Sequence, residues 1–310
     1  MKAVRFERTG GPEVLHLIDV AAPEPGPGEV RVTVAASAFN AADNGMRAGT
    51  LPIPVALPHV PGYDVSGVVD AVGSGVDDLA VGDAVFGFLP MERDGGAAEL
   101  VVAPADSLAP APRSVPLVDS AALPSVALTA WQALHDEGGL TDGQRVLVVG
   151  AGGVVGKYAV ALAKRAGAAV IATASPRSAD DVRAAGADVV LDRTRVDDLR
   201  DAVDGRVDLL LNLAPLEADA FAALVPLVRD GGAVVSTTAW LPTPGDPARG
   251  VRAETVFVRP DRDRLRELAR LVDAGELRIE VTRRIPLAEL PALHAEAATR
   301  GVVGKVLVLP

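Results

Sequence analysis

The chain has 310 residues, of which 49% are hydrophobic and 23% charged, and a net charge of −11. This length suffices for two domains with separate cores, and the negative charge argues against nucleic acid or an anionic membrane as a partner. The absence of cysteine excludes disulfides, thiolate nucleophiles and cysteine-based metal sites. The first residues lack the apolar stretch of a signal peptide, and no segment is long enough to span a bilayer, which predicts a cytoplasmic protein.

The first 115 or so residues alternate short β-type runs with turn clusters. Runs such as Glu29–Ala36 and Asp64–Val72 are separated by segments such as PEPGPGE and GSGVDD. This spacing predicts a compact, barrel-like β unit.

From about residue 118 to 250, strand-like runs alternate with helical ones. Apolar runs such as RVLVVG, AAVIATA and VDLLLNL are each followed by a helical pattern. This alternation predicts βαβ units and a parallel sheet covered on both faces. Beyond residue 251 the sequence predicts one clear helix, Asp261–Ala274, ended by Gly275, and a closing strand in GKVLVLP.

A glycine-rich turn lies in VLVVGAGGVVGKYAVALAKRAG, from Val146 to Gly167. An apolar strand runs into glycines and then into a helix. Glycine lets the backbone approach a pyrophosphate, and the amides and dipole of the helix N-terminus attract phosphates. The frame Ala151-x-Gly153-x-x-Gly156 fits this use, with alanine in the first position. The strand–turn–helix context favours dinucleotide binding over the alternative, a tight turn without a ligand.

The end of the next strand indicates which dinucleotide is bound. An NAD site places Asp or Glu there for the ribose hydroxyls. This chain has Ser175 and Arg177 instead. A hydroxyl and a guanidinium, with no carboxylate to repel a 2′-phosphate, favour NADP(H). The alternative is that Arg177 is a solvated residue in the first turn of the following helix.

The segment PHVPGYDVSG, residues 58–67, offers a histidine, a phenol and a carboxylate. It fits a metal site, an acid–base site or a structural turn. The four histidines, at 16, 59, 135 and 294, show no metal-ligand spacing, so we predict no metal site. Asp64 is predicted to be a hydrogen-bonded polar anchor, and Tyr63 is the candidate proton donor to a substrate oxygen.

Many motifs of the chain resemble one family. They are GGPEVL, PEPGPGEV, Asn40 with Asp43, PGYDVSGVV, AVGSGV, VGDAVFG, LTAWQAL, AGGVVG and GKVLV. Together they resemble the medium-chain dehydrogenase/reductase superfamily, and within it the zinc-free, zeta-crystallin-like quinone oxidoreductases. The resemblance implies an α/β protein: a GroES-like β-barrel catalytic domain (1–117), a Rossmann dinucleotide-binding domain (118–251) and a return segment (252–310) that completes the catalytic domain.

The resemblance also implies NADP(H)-contacting residues. Those implied are Asn40 at the nicotinamide end, Thr129 near the ribose or phosphates, the backbone of Gly153, Val154 and Val155 at the pyrophosphate, Ser175 and Arg177 at the 2′-phosphate, Arg193 where relatives often have an adenine-side tyrosine, and Leu213 and Thr237 beside the nicotinamide. Zinc-dependent relatives carry Gly-His-Glu where this chain has Gly62-Tyr63-Asp64. Asn40 and Tyr63 are therefore the candidate catalytic residues.

Without a metal, the expected reaction is hydride transfer to an activated acceptor. An α,β-unsaturated carbonyl or a quinone accepts hydride at carbon, and the resulting anion needs only hydrogen-bond donors and a proton. Relatives carry aromatic residues where this chain has Gly45, Ala97 and Leu100, which predicts a wide pocket and a bulky substrate. The candidate aromatic residues of the pocket wall are Phe39, Phe88, Trp240 and Phe257.

Two other functions remain open from the sequence. One is a metal-free ketone or alcohol oxidoreductase, which needs an acid such as a Tyr–Lys pair, and here Tyr158 and Lys157 are adjacent. The other is a non-catalytic NADPH-binding protein. Whatever the function, a homodimer is predicted, because an edge of the sheet in dinucleotide-binding domains commonly pairs across a twofold axis.

Overall fold

A computed structural model of the protein describes residues 1–192, 199, 203–238 and 240–310. The chain divides into two units. The first contains Met1–Ser125 and Arg259–Pro310, and the second contains Val126–Val258. Among the described residues, no helix is both long enough and apolar enough to cross a bilayer.

The strands and helices of the described residues are numbered here in chain order. The strands are β1 (Lys2–Arg5), β2 (His16–Asp19), β3 (Glu29–Phe39), β4 (Asp64–Val72), β5 (Ala84–Phe88), β6 (Leu100–Pro104), β7 (Leu108–Pro110), β8 (Arg145–Val149), β9 (Ala169–Ala174), β10 (Val189–Asp192), β11 (Val207–Asn212), β12 (Val228–Ser236), β13 (Arg252–Thr255), β14 (Arg283–Pro286) and β15 (Val306–Leu309). The helices are α1 (Ala41–Ala48), α2 (Leu117–Ser120), α3 (Pro124–Trp131), α4 (Val154–Arg165), α5 (Ala179–Ala184), α6 (Ala218–Ala222), α7 (Arg262–Asp273) and α8 (Leu290–Arg300).

The first unit is built on a sheet in the order β14-β15-β3-β4-β5-β7, with β6 also paired to β3. All of its pairings are antiparallel except that of β14 with β15. Strand β3 alternates buried and partly exposed residues over its first half, which buries Val30, Val32 and Val34 in one core. Each fully buried valine of this kind contributes roughly 1.5–3 kcal/mol to stability.

The C-terminal segment completes the sheet of the first unit. Strand β15 pairs with the end of β3, with Val306 opposite Phe39 and Val308 opposite Ser37. On the other side of β3, Ala38 stands opposite Asp64, the first residue of β4. Residues from the beginning, middle and end of the first unit therefore meet at the last residues of β3.

The second unit contains a parallel sheet in the order β10-β9-β8-β11-β12-β13. Its central strands are largely apolar because both faces are covered; β8, for example, buries Val146 to Val149. The strand order reverses between β8 and β11, and ligands bind such sheets at the carboxyl ends of the strands beside this point. The predicted α/β class, with one barrel-like β unit and one Rossmann unit, is confirmed.

The unit boundaries differ from the predicted domain limits by several residues. Helix α2 packs on β3 and β4, so the first unit extends to Ser125. Strand β13 pairs with β12 in the parallel sheet, so the return to the first unit begins at Arg259 instead of residue 252. The sequence did not reveal β13 because RAET has no continuous apolar run.

Candidate functional site

The glycine-rich turn of the second unit begins where β8 ends. Gly150 has a φ of +86°, a conformation that L side chains rarely adopt. Its amide donates to Thr173 Oγ1 at 2.9 Å, and the amide of Ala151 donates to the carbonyl of Thr173 at 3.0 Å. The turn is therefore fixed to the neighbouring strand β9 by two hydrogen bonds.

The two glycines of the predicted frame have different roles. A Cβ atom on Gly156 would lie 2.5 Å from Ala151 Cα, so glycine is required there for α4 to pack closely on the turn. A Cβ atom on Gly153 would meet only the Gly150 carbonyl oxygen, at 3.5 Å, so the space beside Gly153 is open. The backbone can thus be approached at Gly153.

The N-terminus of α4 has no side-chain cap, because its N-cap residue is Gly153. The amide of Lys157 donates to the Gly153 carbonyl at 3.2 Å. The earlier amides of the helix, including those of Val154 and Val155, precede this first intrahelical bond and have no acceptor within the helix. Free amides together with the helix dipole form an anion site, so these residues fit the pyrophosphate of a dinucleotide.

Ser175 and Arg177 lie in the turn after β9. Ser175 Oγ is 3.0 Å from Ser178 Oγ, and a Cβ atom on Gly152 would lie 2.2 Å from that same Ser178 oxygen. The Ser175–Ser178 turn therefore lies directly against the glycine-rich turn. Arg177 is exposed and forms no ion pair with any residue that the structure describes.

Acidic residues come slightly later than an NAD-specific site requires. Asp180 and Asp181 lie in the first turn of α5, where carboxylates are stabilised by the helix dipole. Asp180 is paired with Arg183 at 2.7 Å. The position directly after β9 carries no carboxylate, as the sequence indicated.

The carboxyl ends of β11 and β12 carry a polar cluster that the sequence did not identify. Asn212 and Ser236 are fully buried, and Ser236 Oγ lies 2.7 Å from Thr238 Oγ1. The two predicted residues of this edge have backbone contacts: the amide of Leu213 donates to Val149 and that of Thr237 donates to Asn212. Two other predicted cofactor residues lie elsewhere. Thr129 is half-buried on α3, and Arg193 lies outside the described residues.

The first unit contains a buried ionic network of four side chains: Asn40, Asp64, Ser125 and Lys305. We call it the Asp64 network. The Lys305 ammonium lies 2.8 Å from Asp64 Oδ2 and 2.5 Å from Asn40 Oδ1. Asn40 Nδ2 donates to Asp64 Oδ2 at 3.0 Å. The Ser125 amide donates to Asp64 Oδ1 at 2.7 Å, and Ser125 Oγ donates to Asp64 Oδ2 at 2.6 Å.

Every polar atom of Asp64 is satisfied in this network, so Asp64 is the polar anchor that the sequence predicted. The side chains of Asp64 and Lys305 are 0% and 2% exposed, which means that both charges are removed from water. Such a pair is stable only when it is well aligned and fully hydrogen-bonded. Lys305 was missed in the sequence, although a lone lysine within an apolar closing strand is a sign of a buried charge.

Tyr63 directly precedes β4, and its side chain has a different hydrogen-bond partner from those of Asp64. Its side chain is buried, and its hydroxyl is 2.8 Å from His59 Nε2. Burial raises the pKa of the phenol, and the nearby Asp43 carboxylate adds to this effect. The hydroxyl is thus held by His59, which argues against Tyr63 as the donor to a substrate oxygen.

A second buried polar group lies between α1 and α8, formed by Asp43, Asn44, Arg47 and His294. We call it the Asp43 cluster. Asp43 Oδ2 accepts the Asn40 amide at 2.7 Å, and His294 Nδ1 is 2.9 Å from Asn44 Oδ1. Within the part of the chain that is described, four buried atoms of the cluster have no hydrogen-bond partner: Asp43 Oδ1, Arg47 Nε, Arg47 Nη1 and His294 Nε2.

The Asp43 cluster contains two groups with shifted pKa values. Burial raises the pKa of Asp43 to about 7. Burial, assisted by the charge of Arg47, lowers the pKa of His294 to about 3. Asp43 and His294 also line one small cavity of about 10 Å³.

The four aromatic residues predicted for the pocket wall divide into a buried pair and an exposed pair. Phe39 and Phe88 are buried in the first unit, whereas Trp240 and Phe257 are 72% and 50% exposed. A Cβ atom on Gly45 would lie 2.8 Å from Leu51 Cγ, so Leu51 occupies the space beside this glycine. The missing aromatic residue at position 45 therefore leaves less room than the sequence predicted.

A parallel sheet with an open glycine turn at a helix N-terminus is the arrangement of a Rossmann-type dinucleotide-binding domain. Two family models match the chain. One is described as an alcohol dehydrogenase GroES-like domain and matches residues 26–113. The other is described as a zinc-binding dehydrogenase and matches residues 185–308.

Relatives and solved structures agree with these matches. A chloroplast envelope quinone oxidoreductase homolog of Arabidopsis thaliana is 30% identical, with 100% of this chain and 98% of that protein covered. A chloroplastic NADPH-dependent alkenal/one oxidoreductase of the same plant is 30% identical, with 100% and 80% covered. The quinone oxidoreductase structure from Coxiella burnetii has a TM-score of 0.89 at 29% identity, with 100% and 99% covered.

The chain belongs to the medium-chain dehydrogenase/reductase superfamily, in its quinone oxidoreductase branch, as the sequence motifs indicated. It is an oxidoreductase of the kind that uses a nicotinamide cofactor and a small-molecule substrate.

The name of one family model raises the question of zinc. Catalytic zinc requires about three protein ligands from Cys, His, Asp or Glu. No group of three such side chains is arranged for a metal in the described ranges. At the Tyr63–Asp64 position the phenol contacts His59 and both Asp64 oxygens are taken, one of them by the Lys305 ammonium. Zinc does not fit this donor set, because a second cation would be repelled by Lys305.

Proposed function

We propose that the protein is an NADPH-dependent, metal-independent oxidoreductase that transfers hydride to an α,β-unsaturated carbonyl or a quinone. The observation that carries the proposal is the Asp64 network. Where zinc-dependent relatives carry Gly-His-Glu, this chain has a tyrosine in place of the histidine, and the neighbouring Asp64 is paired with the buried ammonium of Lys305. Acceptors that are already activated for hydride addition at carbon need no Lewis acid.

Several features support the choice of NADPH. When bound, the nicotinamide supplies the hydride. The open backbone at Gly153 and the free amides of Val154 and Val155 would hold the pyrophosphate. Ser175 and the exposed Arg177, in the turn beside the glycines, would hold the 2′-phosphate by charge-assisted hydrogen bonds. Leu213, Thr237 and Thr129 remain the candidates for the nicotinamide and ribose regions.

Two features support the choice of acceptor. The relatives described as quinone and alkenal/one oxidoreductases are similar to this chain over its whole length. In addition, Asn40 is held between Asp64 and Lys305 and is half-buried, which suits a hydrogen-bond donor near the reacting groups. A bulky acceptor is part of the proposal, although Leu51 fills the space beside Gly45.

The test is NADPH and NADH oxidation by the purified protein with a panel of acceptors. We expect turnover with quinones and extended enones, little with simple ketones, and a higher kcat/KM for NADPH than for NADH. Ketone turnover would instead indicate a metal-free ketone reductase, and NADPH binding without turnover would indicate a non-catalytic binding protein. Stoichiometric zinc by elemental analysis would contradict metal independence.

The role of Arg177 is tested by Arg177→Ala. We expect KM for NADPH to rise about tenfold, which corresponds to about 1.4 kcal/mol, while KM for NADH stays unchanged. Arg266→Ala is the matched control, since Arg266 is an exposed arginine paired with Asp263 on α7. Equal effects on the two cofactors would show that Arg177 does not contact the 2′-phosphate.

The homodimer stays a prediction. Within the described residues, β13 is an edge strand of the parallel sheet, and an edge strand can pair with another copy. Light scattering with size exclusion should give a mass of about twice 31.7 kDa.

A further inference from the structure

Lys305 carries a buried ammonium, and its backbone is hydrogen-bonded to Thr282. Its carbonyl oxygen accepts from the Thr282 amide at 2.9 Å and from Thr282 Oγ1 at 2.8 Å. The preceding Gly304 has a φ of +76°, and a Cβ atom there would lie 2.2 Å from Thr282 Cγ2. The turn that delivers Lys305 to the Asp64 network is therefore closely fixed.

Stability alone does not account for a lysine at this position. Removing an ammonium and a carboxylate from water is costly, and a well-packed apolar pair is often equally stable. An apolar pair in place of Lys305 and Asp64 would still leave Asn40 Oδ1 without the 2.5 Å hydrogen bond that it accepts from Lys305. This contact indicates that the charge of Lys305 acts on the Asn40 side chain.

The charges on either side of Asn40 determine which way its amide points. Lys305 can only donate and the Asp64 carboxylate can only accept. The amide oxygen must therefore face Lys305, and the amide nitrogen must face Asp64. A flipped amide would place its NH₂ group against the ammonium and its oxygen against the carboxylate.

This orientation leaves one donor on Asn40. Of the two Nδ2 hydrogens, one is accepted by Asp64, and no other acceptor is found among the described side chains. Asn40 is half-buried, whereas Asp64 and Lys305 are fully buried. Asn40 is thus the member of the network through which a buried charge pair can act on a bound molecule.

We propose that Lys305 is a positioning residue that acts through Asn40. It fixes the Asn40 amide so that its second N–H is a donor of set direction for the nicotinamide end of the cofactor. The inference rests on the proposed function. Its consequence is that loss of Lys305 changes the rate of hydride transfer more than the affinity for the cofactor, which is bound mainly through its phosphates.

The principal test is a double-mutant cycle with Lys305→Met and Asn40→Ala, measured as kcat with the best acceptor and as Kd for NADPH. We expect Lys305→Met to lower kcat by about 10- to 100-fold and to change Kd less than about threefold. In the Asn40→Ala background the same change should have almost no further effect on kcat. Additive losses of kcat would overturn the proposal.

The matched control is Lys164→Met. Lys164 and Asp188 form a Lys–Asp pair of the same 2.8 Å length, but it is exposed and far along α4 from the glycine turn. We expect kcat to stay within about twofold of the original protein, because an exposed pair contributes little.

Misfolding of Lys305→Met is separated from loss of positioning by a neutral pair. Lys305→Met leaves a lone buried carboxylate, whereas Lys305→Met with Asp64→Asn leaves no charge. We expect the double variant to regain most of the thermal stability but not the kcat, because neutral partners no longer fix the Asn40 amide. Recovery of both would mean that Lys305 is merely structural and would overturn the proposal.

Failure of the proposed function is recognised separately. If none of the acceptors in the panel supports NADPH oxidation by the unmodified protein, the proposed reaction is wrong. The Asn40 amide is then examined directly by ¹⁵N NMR of its NH₂ group. One fixed pair of signals in the original protein and exchange broadening in Lys305→Met would support positioning by Lys305. Unchanged signals in Lys305→Met would overturn it.

Discussion

The Asp64 network and the Asp43 cluster are neighbours that bury charge in different ways. Asn40 belongs to the first through its side chain and contacts the second through its backbone amide. In the Asp64 network an anion meets a cation and both oxygens of Asp64 are hydrogen-bonded. In the Asp43 cluster one carboxylate oxygen, one imidazole nitrogen and two guanidinium nitrogens have no partner among the described residues.

The difference shows how partners decide whether a buried group keeps its charge. A carboxylate with an ammonium at 2.8 Å offsets much of its desolvation by direct pairing. Asp43 has only backbone donors and more distant charges, with Lys305 favouring and Asp64 opposing its ionised form, so burial dominates and its pKa rises to about 7. The Asp64 carboxylate thus has a direct counter-charge, whereas Asp43 has none among its hydrogen-bond partners.

The largest expected effect comes from breaking the ion pair. Asp64→Asn keeps the shape of the side chain but leaves the Lys305 ammonium buried without its counter-charge. We expect a loss of about 3–5 kcal/mol in the free energy of unfolding, measured by urea denaturation at pH 7.5. Asp43→Asn at the same pH should cost far less. Similar losses in both variants would remove the distinction between the two groups.

A smaller effect is expected from Asp43→Asn, and it depends on pH. The folded-state pKa of about 7 lies above the ordinary value of 3.8, so the folded protein holds an extra proton between these limits. The contribution of Asp43 to stability is therefore full below about pH 4 and is lost as the pH rises through 7. Asparagine does not titrate. Relative to the original protein, Asp43→Asn should gain stability from pH 4.5 to 7.5.

The gain should exceed about 2 kcal/mol, since each unit of pKa difference corresponds to about 1.4 kcal/mol and about two units lie within this pH range. Urea denaturation of both proteins at several pH values measures it. Ser120→Ala serves as a control, because Ser120 is a buried side chain that does not titrate and its effect should be the same at every pH. Parallel stability curves for Asp43→Asn and the original protein would refute the shifted pKa.

The sequence predicted the features that depend on local pattern. The parallel sheet, the Ala151-x-Gly153-x-x-Gly156 turn and helix α7 all follow from periodicity and glycine placement within about twenty residues. The Asp64 network does not, because Lys305 is 241 positions from Asp64 in the chain. Their meeting depends on the pairing of β15 with β3 and of β3 with β4, and strand register between distant segments is not written in local composition.

Tyr63 shows a second limit of sequence reasoning. The sequence places a phenol and a carboxylate side by side, but their side chains have different partners. The Tyr63 hydroxyl contacts His59, whereas Asp64 belongs to the Asp64 network. The partners of Asp64 are Asn40, Ser125 and Lys305, none of which is close to it in the chain. The motif alone therefore favoured the phenol as a proton donor, and it could not show that the phenol contacts His59.

The smallest expected effect tests the other titrating member of the Asp43 cluster. The pKa of His294 is lowered to about 3 from an ordinary 6.5, so the folded state holds fewer protons between these values. Its contribution to stability is therefore present above pH 6.5 and lost as the pH falls, opposite in sign to that of Asp43. His294→Gln, which keeps a polar side chain near Asn44, should gain stability relative to the original protein from pH 6.5 to 4.5, by about 2 kcal/mol. The effect is small because only part of the interval lies above acid unfolding. If Asp43→Asn and His294→Gln give slopes of the same sign in urea denaturation, the two groups are not both buried as described, and the contrast with the Asp64 network fails.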